Sequence, residues 1–444
     1  MRTEGKNSHW MTWILPLLAT VSLLAVAVGC DQVGARAPAE EPTTADRPPA
    51  EEGVFKLGIM APLSGPSAST GLEFKGAATM ALDAIDWQIG ETTIEPVWID
   101  SQSDPDAAAA VYEEAIVEDG IQAAILNWHS SVAVSCMDVA ADYQIPHIFP
   151  FGATEVVNET FHSNPDRYGY WMNKGWPTSD KLTVAYVQAL EDAIASGIWN
   201  PREKTFAICA ENTHWGLSFG EALGSQLEAH GWTLVAEEYF GLEEVQFHSL
   251  LNRLKAENVA LVATTSTSLP SITALINQAE EVGLESLIIA DGLGWGGEWY
   301  ELTGDSSNHV LDQIPGWTTE EGHTFAADFE DRWGVAPSSS AAGLAYDGTN
   351  MFIQIAQQAL EEYGELTSET IYRWASENLQ TGEWSYTDGI VMEEYLYTPE
   401  TLPDPVVGEG YYIFPVRQYF DGQGEIVYPP DWATQELQPN GSAE

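Results

Sequence analysis

From Val54 onward the chain alternates between two hydrophobic rhythms. "VFKLGIM", "EPVWID", "AAILNW" and "IPHIFPF" are short apolar runs of strand length. Between them lie "LEFKGAATMALDAIDW", "DPDAAAAVYEEAIVED" and "SVAVSCMDVAADY", whose apolar residues recur at helical spacing. Pro105 suits the first position of the second helix, with Ser103 or Asp104 as its cap. Repetition of this kind builds a mostly parallel sheet with helices on both faces. The pattern breaks at "NETFHSNPDRYGYWMNKGWPTSD", which reads as loop. It then resumes with four more strand patterns, "TFAICAE", "TLVAEEYF", "ALVATTS" and "SLIIAD", separated by helical ones, so a second α/β unit is expected. Helical patterns follow at "TFAADFEDRWG", "AAGLAYDGTNMFIQIAQQALEEYG" and "TSETIYRWASEN". Near the end "DGQG" separates two strand patterns and predicts a hairpin.

In open α/β sheets ligands sit beyond the carboxyl ends of the strands, so two such sheets facing each other make a cleft. The residues just after each strand are therefore the candidates for function. "NWHSSV" places Ser130 and Ser131 between a strand and a helix, where hydroxyls and free backbone N–H groups favour an anion. "FGATE" offers Gly152 and the Thr154 hydroxyl, "THWG" offers Trp215, and "ADG" offers Asp291. Each has a plain structural reading as cap, core or Asx turn. Their shared position favours a zwitterion such as an amino acid, held by donors from one half and by an acid and an aromatic from the other.

Two motifs point to different chemistry. Gly216-x-Ser218-x-Gly220 matches a hydrolase nucleophile elbow, but "ENTHW" intervenes between strand and serine, and no later histidine follows a strand directly. The serine reads better as part of a helix start, so no catalytic residue is assigned. Gly292-x-Gly294-x-x-Gly297 matches a dinucleotide fingerprint, yet the short helix after it begins with Glu298, which would repel a pyrophosphate. It reads better as a Gly-rich loop carrying a residue to a cleft.

Charge narrows the partners. The chain has 16 Lys+Arg against 67 Asp+Glu, a net charge of −51, over 444 residues that are 44% hydrophobic. That surface repels nucleic acid and anionic lipid, while the apolar content excludes a disordered acidic tail. Such acidity suits a saline habitat, because at about 1 M salt the Debye length is roughly 3 Å. The three cysteines and the absence of Cys-x-x-Cys or His-Glu-x-x-His give no support to a metal site, and Cys136 and Cys209 are expected to be buried thiols. No cofactor is expected.

The N-terminus adds an address. "ILPLLATVSLLAVAVG" is apolar, short for a membrane span, and ends at "AVGC". Residues 1–29 read as a signal peptide and Cys30 as the lipidated cysteine of a bacterial lipoprotein; the competing reading is an ordinary signal peptide followed by a chance cysteine. The Pro/Ala/Glu-rich residues 30–53 read as a flexible tether.

"LGIMAPLSGPSASTGLEFKGAATMALDAI", "IDSQSDPDAAAAVYEEAI", "SSVAVSCMDVAADYQIPHIFPFGAT", "WGLSFGEALGSQLEAHG", "LNRLKAENVALV" and "AAGLAYDGTNMF" resemble, in order and spacing, the leucine/isoleucine/valine-type binding proteins of ABC transporters. The likeness runs from Val54 to about Pro430. It implies a type I periplasmic binding fold: two doubly wound parallel-sheet α/β lobes joined by a three-crossing hinge. It implies an N-terminal lobe of residues 54–172 and 317–395, a C-terminal lobe of 173–316 and 396–430, and a tail of 431–444. It carries the family's ligand-carboxylate site onto Ser131, with Ser130 beside it, and onto Gly152 and Thr154. The family's tyrosine falls on Trp215, its ammonium-binding glutamate on Asp291, and a side-chain-lining position on Thr70. Trp128, His129 and Trp295 depart from the family pattern and are expected to line the pocket, so the ligand class stays open among branched-chain and aromatic amino acids, amines and amides. The implied role is an extracytoplasmic, lipid-anchored monomer that delivers a small molecule to an ABC permease without chemical turnover. A ligand sensor without transport is the alternative, and a serine hydrolase at Ser218 a third.

Overall fold

The computed structural model describes residues 48, 51–314, 316–317, 319–407 and 414–440. The segments expected to be a signal peptide (1–29) and most of a tether (30–53), with Cys30, lie outside the described residues.

The first sheet contains β1 (Val54–Ala61), β2 (Gln88–Ile89), β3 (Thr92–Asp100), β4 (Ala123–Ile125) and β5 (His147–Ile148), in the order β2-β3-β1-β4-β5. Only β2, hairpinned onto β3, runs antiparallel. The second sheet has β6 (Thr205–Glu211), β7 (Thr233–Phe240), β8 (Leu261–Thr265), β9 (Leu287–Asp291), β10 (Leu311–Asp312), β11 (Val416–Phe420) and β12 (Gln423–Tyr428), in the order β12-β11-β10-β9-β8-β6-β7. Strands β6 to β10 are parallel, and β11–β12 form the antiparallel edge. Each sheet puts its first strand inside rather than at an edge, which fits the doubly wound arrangement expected from the repeating pattern. The strands β8 and β9 are buried along their whole length, as a parallel sheet covered on both faces requires.

The helices are α1 (Ala68–Asp83), α2 (Pro105–Glu114), α3 (Ser130–Asp142), α4 (Glu155–Ser163), α5 (Pro165–Tyr168), α6 (Ser179–Ser196), α7 (His214–Ala229), α8 (His248–Ala256), α9 (Leu269–Val282), α10 (Trp299–Thr303), α11 (Glu320–Trp333), α12 (Leu344–Tyr363) and α13 (Ser368–Asn378). Asp104 caps α2 by accepting from the Ala107 N–H at 2.8 Å, with Pro105 in the first turn. Late in the sequence, α12 returns to pack on α1, β2 and β4, with α13 against it, while β11 and β12 pack on α6. The chain therefore passes between the two sheets more than once.

The hairpin predicted at "DGQG" is present: Asp421 and Gly422 both have positive φ, as a two-residue turn of this type needs. The passage after Thr154 differs from its reading as loop. Thr154 caps α4, and Asn164 caps α5. Only Val157 and Phe161 of α4 are buried, too few apolar positions to show a period against the polar remainder. Strand β10 has two residues and left no pattern. Cys136 and Cys209 are buried free thiols.

Candidate functional site

The loops at the strand ends are built to hold aromatic side chains rigidly. After β4 the chain turns through Leu126 with φ of 62°. Buried Asn127 then donates to the His129 carbonyl at 3.0 Å and accepts from the Phe151 N–H, so it ties the β4 and β5 loops together and fixes Trp128 and Phe151. Trp128 meets Phe151 edge to face with centroids 5.9 Å apart. In the second half, Thr213 caps α7 and places Trp215 in its first turn. The Trp215 indole donates to Thr265 Oγ1 at 2.7 Å, and Thr265 donates to the Asp291 carbonyl at 2.7 Å. Buried Glu211 accepts from both the N–H and the hydroxyl of Thr267, fixing the loop after β8.

These loops line a cavity with about 40 Å³ of room for the centres of water-sized spheres. Trp128, Ser130, Phe151, Gly152 and Ala153 line it from the first half, Trp215, Thr267 and Trp295 from the second. Trp176, Ser340 and Leu344 complete the wall. Trp295 touches Trp128 at 86° and Trp215 at 51°, with centroids 5.4 and 5.5 Å apart, so the two halves meet through indole rings. Three polar atoms of wall residues are buried without a partner: Nε1 of Trp128, Nε1 of Trp295 and Oγ of Ser340.

The halves are closed on each other by polar contacts around this cavity. Thr154 and Ser218 share a hydroxyl–hydroxyl bond of 2.8 Å, and the His214 N–H donates to Ser131 Oγ at 3.2 Å. Ser67 donates to the Thr267 carbonyl at 2.6 Å, and the Gly297 N–H donates to Glu73 at 3.2 Å. The Ser338 hydroxyl donates to the Trp295 carbonyl at 2.6 Å. Since the single Ser67 proton goes to Thr267, His129 Nε2 at 3.0 Å must be the donor to Ser67. Burial drives the His129 pKa down to about 3, so the ring is neutral and its Nδ1 is a bare acceptor.

Of the residues singled out in the sequence, Trp128, Ser130, Gly152, Trp215 and Trp295 come together in the wall. Ser131 and Thr154 instead make the cross-half contacts, His129 lies behind them on Ser67, and Thr70 is buried in α1 away from the wall. Asp291 is also outside the wall. Its carboxylate accepts from Tyr186 at 2.9 Å, and burial together with the neighbouring Asp312 raises its pKa well above the ordinary range. Asp312 in turn accepts from the Gly292 and Gly294 N–H groups, both at 2.8 Å, and from Tyr419 at 2.6 Å. Asp312 thus anchors the Gly-rich loop that carries Trp295. Gly297 has no room for a side chain, since a Cβ would lie 1.8 Å from the Ala336 carbonyl oxygen. The glycines of this loop serve close packing and a turn, with Gly292 at φ of 99°.

Sequence reasoning missed Phe151, Ala153, Trp176, Thr267, Ser340 and Leu344 in the wall. Phe151, Ala153 and Thr267 follow strands and obey the same rule that found the others. Trp176 lies in the stretch joining the halves, and Ser340 and Leu344 arrive from a helix start far along the chain, with no local signal. Also missed was Lys174, fully buried, whose ammonium reaches Asp404 at 2.7 Å and the Gly152 carbonyl at 2.8 Å; Lys181 reaches the other Asp404 oxygen at 2.6 Å. Burial alone would raise the Asp404 pKa, but the two ammoniums outweigh it and hold it at about 2.

Known proteins share this architecture. The periplasmic binding protein family model matches residues 54–388, well over half the chain. A Leu/Ile/Val-binding protein of Rhizobium johnstonii is 23% identical over 359 residues, covering 74% of this chain and 93% of that one. A leucine-, isoleucine-, valine-, threonine- and alanine-binding protein of Pseudomonas aeruginosa is 22% identical over 264 residues, covering 59% of this chain and 66% of its own length, just under two thirds. Among solved structures, a putative branched-chain amino acid ABC transporter protein from Silicibacter pomeroyi superimposes with a TM-score of 0.69 at 20% identity, covering 87% of this chain and 99% of that one. A solute-binding protein from R. palustris in complex with benzoate gives 0.68 at 14% identity, covering 88% and 98%. On the family match and the two-sheet architecture together, this chain belongs to the periplasmic binding protein family.

Proposed function

We propose that the protein is the extracytoplasmic solute receptor of an ABC importer and captures a small molecule by closing its two lobes around it. The observation that carries this reading is a cavity walled by both lobes in which buried donors of Trp128, Trp295 and Ser340 have no protein partner. A buried donor left unpaired costs roughly 1–3 kcal/mol, and a ligand that accepts from it removes that cost only when the lobes are shut. Closure driven by such differential contacts is how a binding event becomes a shape that a permease can recognise. We place the three crossings near residues 172–173, 316–317 and 395–396, with the Lys174–Asp404–Lys181 cluster bracing two of them. The names of the relatives supply the candidate ligands: branched-chain and small amino acids, and an aromatic acid.

The reading includes a lipid anchor at Cys30, a monomeric state and no catalysis. The pairing of Ser218 with Thr154 rather than with a histidine supports the last point. Calorimetry and thermal melting of the processed chain against amino acids, amides, aromatic acids and methylated amines test the receptor role. A ligand at a hundred times its Kd should stabilise the fold by about 2.7 kcal/mol. Covalent labelling of Ser218 by a fluorophosphonate would overturn it in favour of a hydrolase.

A further inference from the structure

The cavity wall presents four indole side chains, of Trp128, Trp176, Trp215 and Trp295, and no Asp, Glu, Lys, Arg or His among the described residues. That combination discriminates sharply between kinds of nitrogen. A primary ammonium brings three N–H donors into the space, and the one acid that sequence placed beside it, Asp291, lies outside the wall and is engaged by Tyr186. Each N–H that finds no acceptor in a dry site is penalised. A fully methylated nitrogen carries the same charge with no donor, and indole faces attract it through their quadrupole. Trp295 meets Trp128 at 86° and Trp215 at 51°, so rings of this wall lie in different planes.

The other half of the ligand is set by the unpaired groups. Indole N–H groups can only donate, and those of Trp128 and Trp295 lack acceptors, as does the Ser340 hydroxyl. The helix α3 begins at Ser130 in the same wall with no side-chain cap, so its first-turn N–H groups add to the donor set. The ligand must therefore bring an acceptor, and a carboxylate fits best. A simple anion does not fit. Lys174, whose ammonium touches the carbonyl of wall residue Gly152, is already paired with Asp404, and the chain carries a net charge of −51.

We infer that the cavity takes a betaine-type zwitterion: a fully methylated ammonium among the indole rings, and a carboxylate on the N–H groups of Trp128 and Trp295 and the Ser340 hydroxyl. The inference rests on the receptor reading and names the ligand class for the same site.

Calorimetry on the processed chain with glycine betaine, dimethylglycine, glycine, tetramethylammonium, leucine and benzoate separates the outcomes. Glycine betaine should bind at least tenfold more tightly than dimethylglycine and at least a hundredfold more tightly than glycine. Tetramethylammonium, which lacks the acceptor, should be at least tenfold weaker than glycine betaine. Trp295→Phe keeps a ring and removes the N–H, and Ser340→Ala removes the hydroxyl; each should weaken glycine betaine severalfold. Melting curves of the unliganded variants confirm that they are folded. If leucine or benzoate binds instead and Trp295→Phe weakens it, the methylated-ammonium assignment is overturned while the receptor reading stands. If a probe binds and neither variant weakens it, the assigned site falls while the receptor reading stands; if no probe binds, the methylated-ammonium assignment falls.

Discussion

Two groups of buried acids serve this molecule in opposite ways. Asp404, between the segments that join the lobes, has two lysines within 2.7 Å. Glu73, Asp312 and Asp291, arranged along the loop that carries Trp295, form no ion pair among the described residues. Glu73 accepts instead from the Gly297 and Ser338 N–H groups at 3.2 and 2.7 Å, and Asp312 from Gly292 and Gly294. The pKa values diverge accordingly. The lysines hold Asp404 at about 2, whereas burial lifts Glu73 to about 7 and raises both Asp291 and Asp312. The compensated acid ties the Lys174–Lys181 segment to the segment around Asp404 with charge. Glu73 and Asp312 position a loop with backbone hydrogen bonds, and all three acids lie outside the cavity wall.

The largest test of this contrast is Asp404→Ala. It strands the fully buried Lys174 ammonium and should cost about 3–5 kcal/mol in urea unfolding. A loss under 1 kcal/mol would mean the ion pair is not what holds the crossings.

The pH dependence should separate the two classes by sign. Asp404 has a folded pKa below its ordinary value, so its contribution is present above about pH 3.8 and lost as pH falls through about 2. Glu73 has a raised pKa, so its contribution is present below about 4.5 and lost as pH rises through about 7. The difference in unfolding free energy between wild type and Glu73→Gln should therefore shift in the variant's favour between pH 4.5 and 8, by up to about 3 kcal/mol. A pH-independent difference would show that Glu73 is already ionised in the fold.

Asp312→Ala leaves two loop N–H groups and the Tyr419 hydroxyl without their acceptor. We expect a stability loss of about 1–3 kcal/mol and weaker ligand binding through a loosened Trp295, read by melting and calorimetry. The smallest effect should be that of Asp291→Asn. The Asp291 side chain accepts from Tyr186, a bond that an amide oxygen can also accept, so stability should change by under about 1 kcal/mol and ligand affinity hardly at all. A large loss of affinity would restore Asp291 as a ligand contact.

The same contrast explains what was legible beforehand. The strand-end rule picked out Ser130, Gly152 and Trp215 because a loop's place after a strand is a local fact, while Trp128 and Trp295 stood out as departures from the family pattern. The rule also pointed to Asp291, which ends β9. Nothing local says that Asp312, 21 residues later, lies beside it and that Tyr186 takes its oxygen. Ser218 was readable as a helix residue, but its partner Thr154 was not, since the two are joined only when the lobes meet. Likewise α4 was lost because two buried residues make no period, and Trp176 because it stands in a connection rather than at a strand end.

The sequence alone determined the α/β repetition, the caps, the hairpin turn and the excess of negative charge, because each depends on neighbours within a few residues or on a sum over the chain. Only the tertiary structure decided which strand-end residues share a cavity, which bridge the lobes, and which buried acids meet a lysine. Those outcomes depend on groups up to hundreds of residues apart, and burial turns their chance proximity into large differences in hydrogen bonding and ionisation.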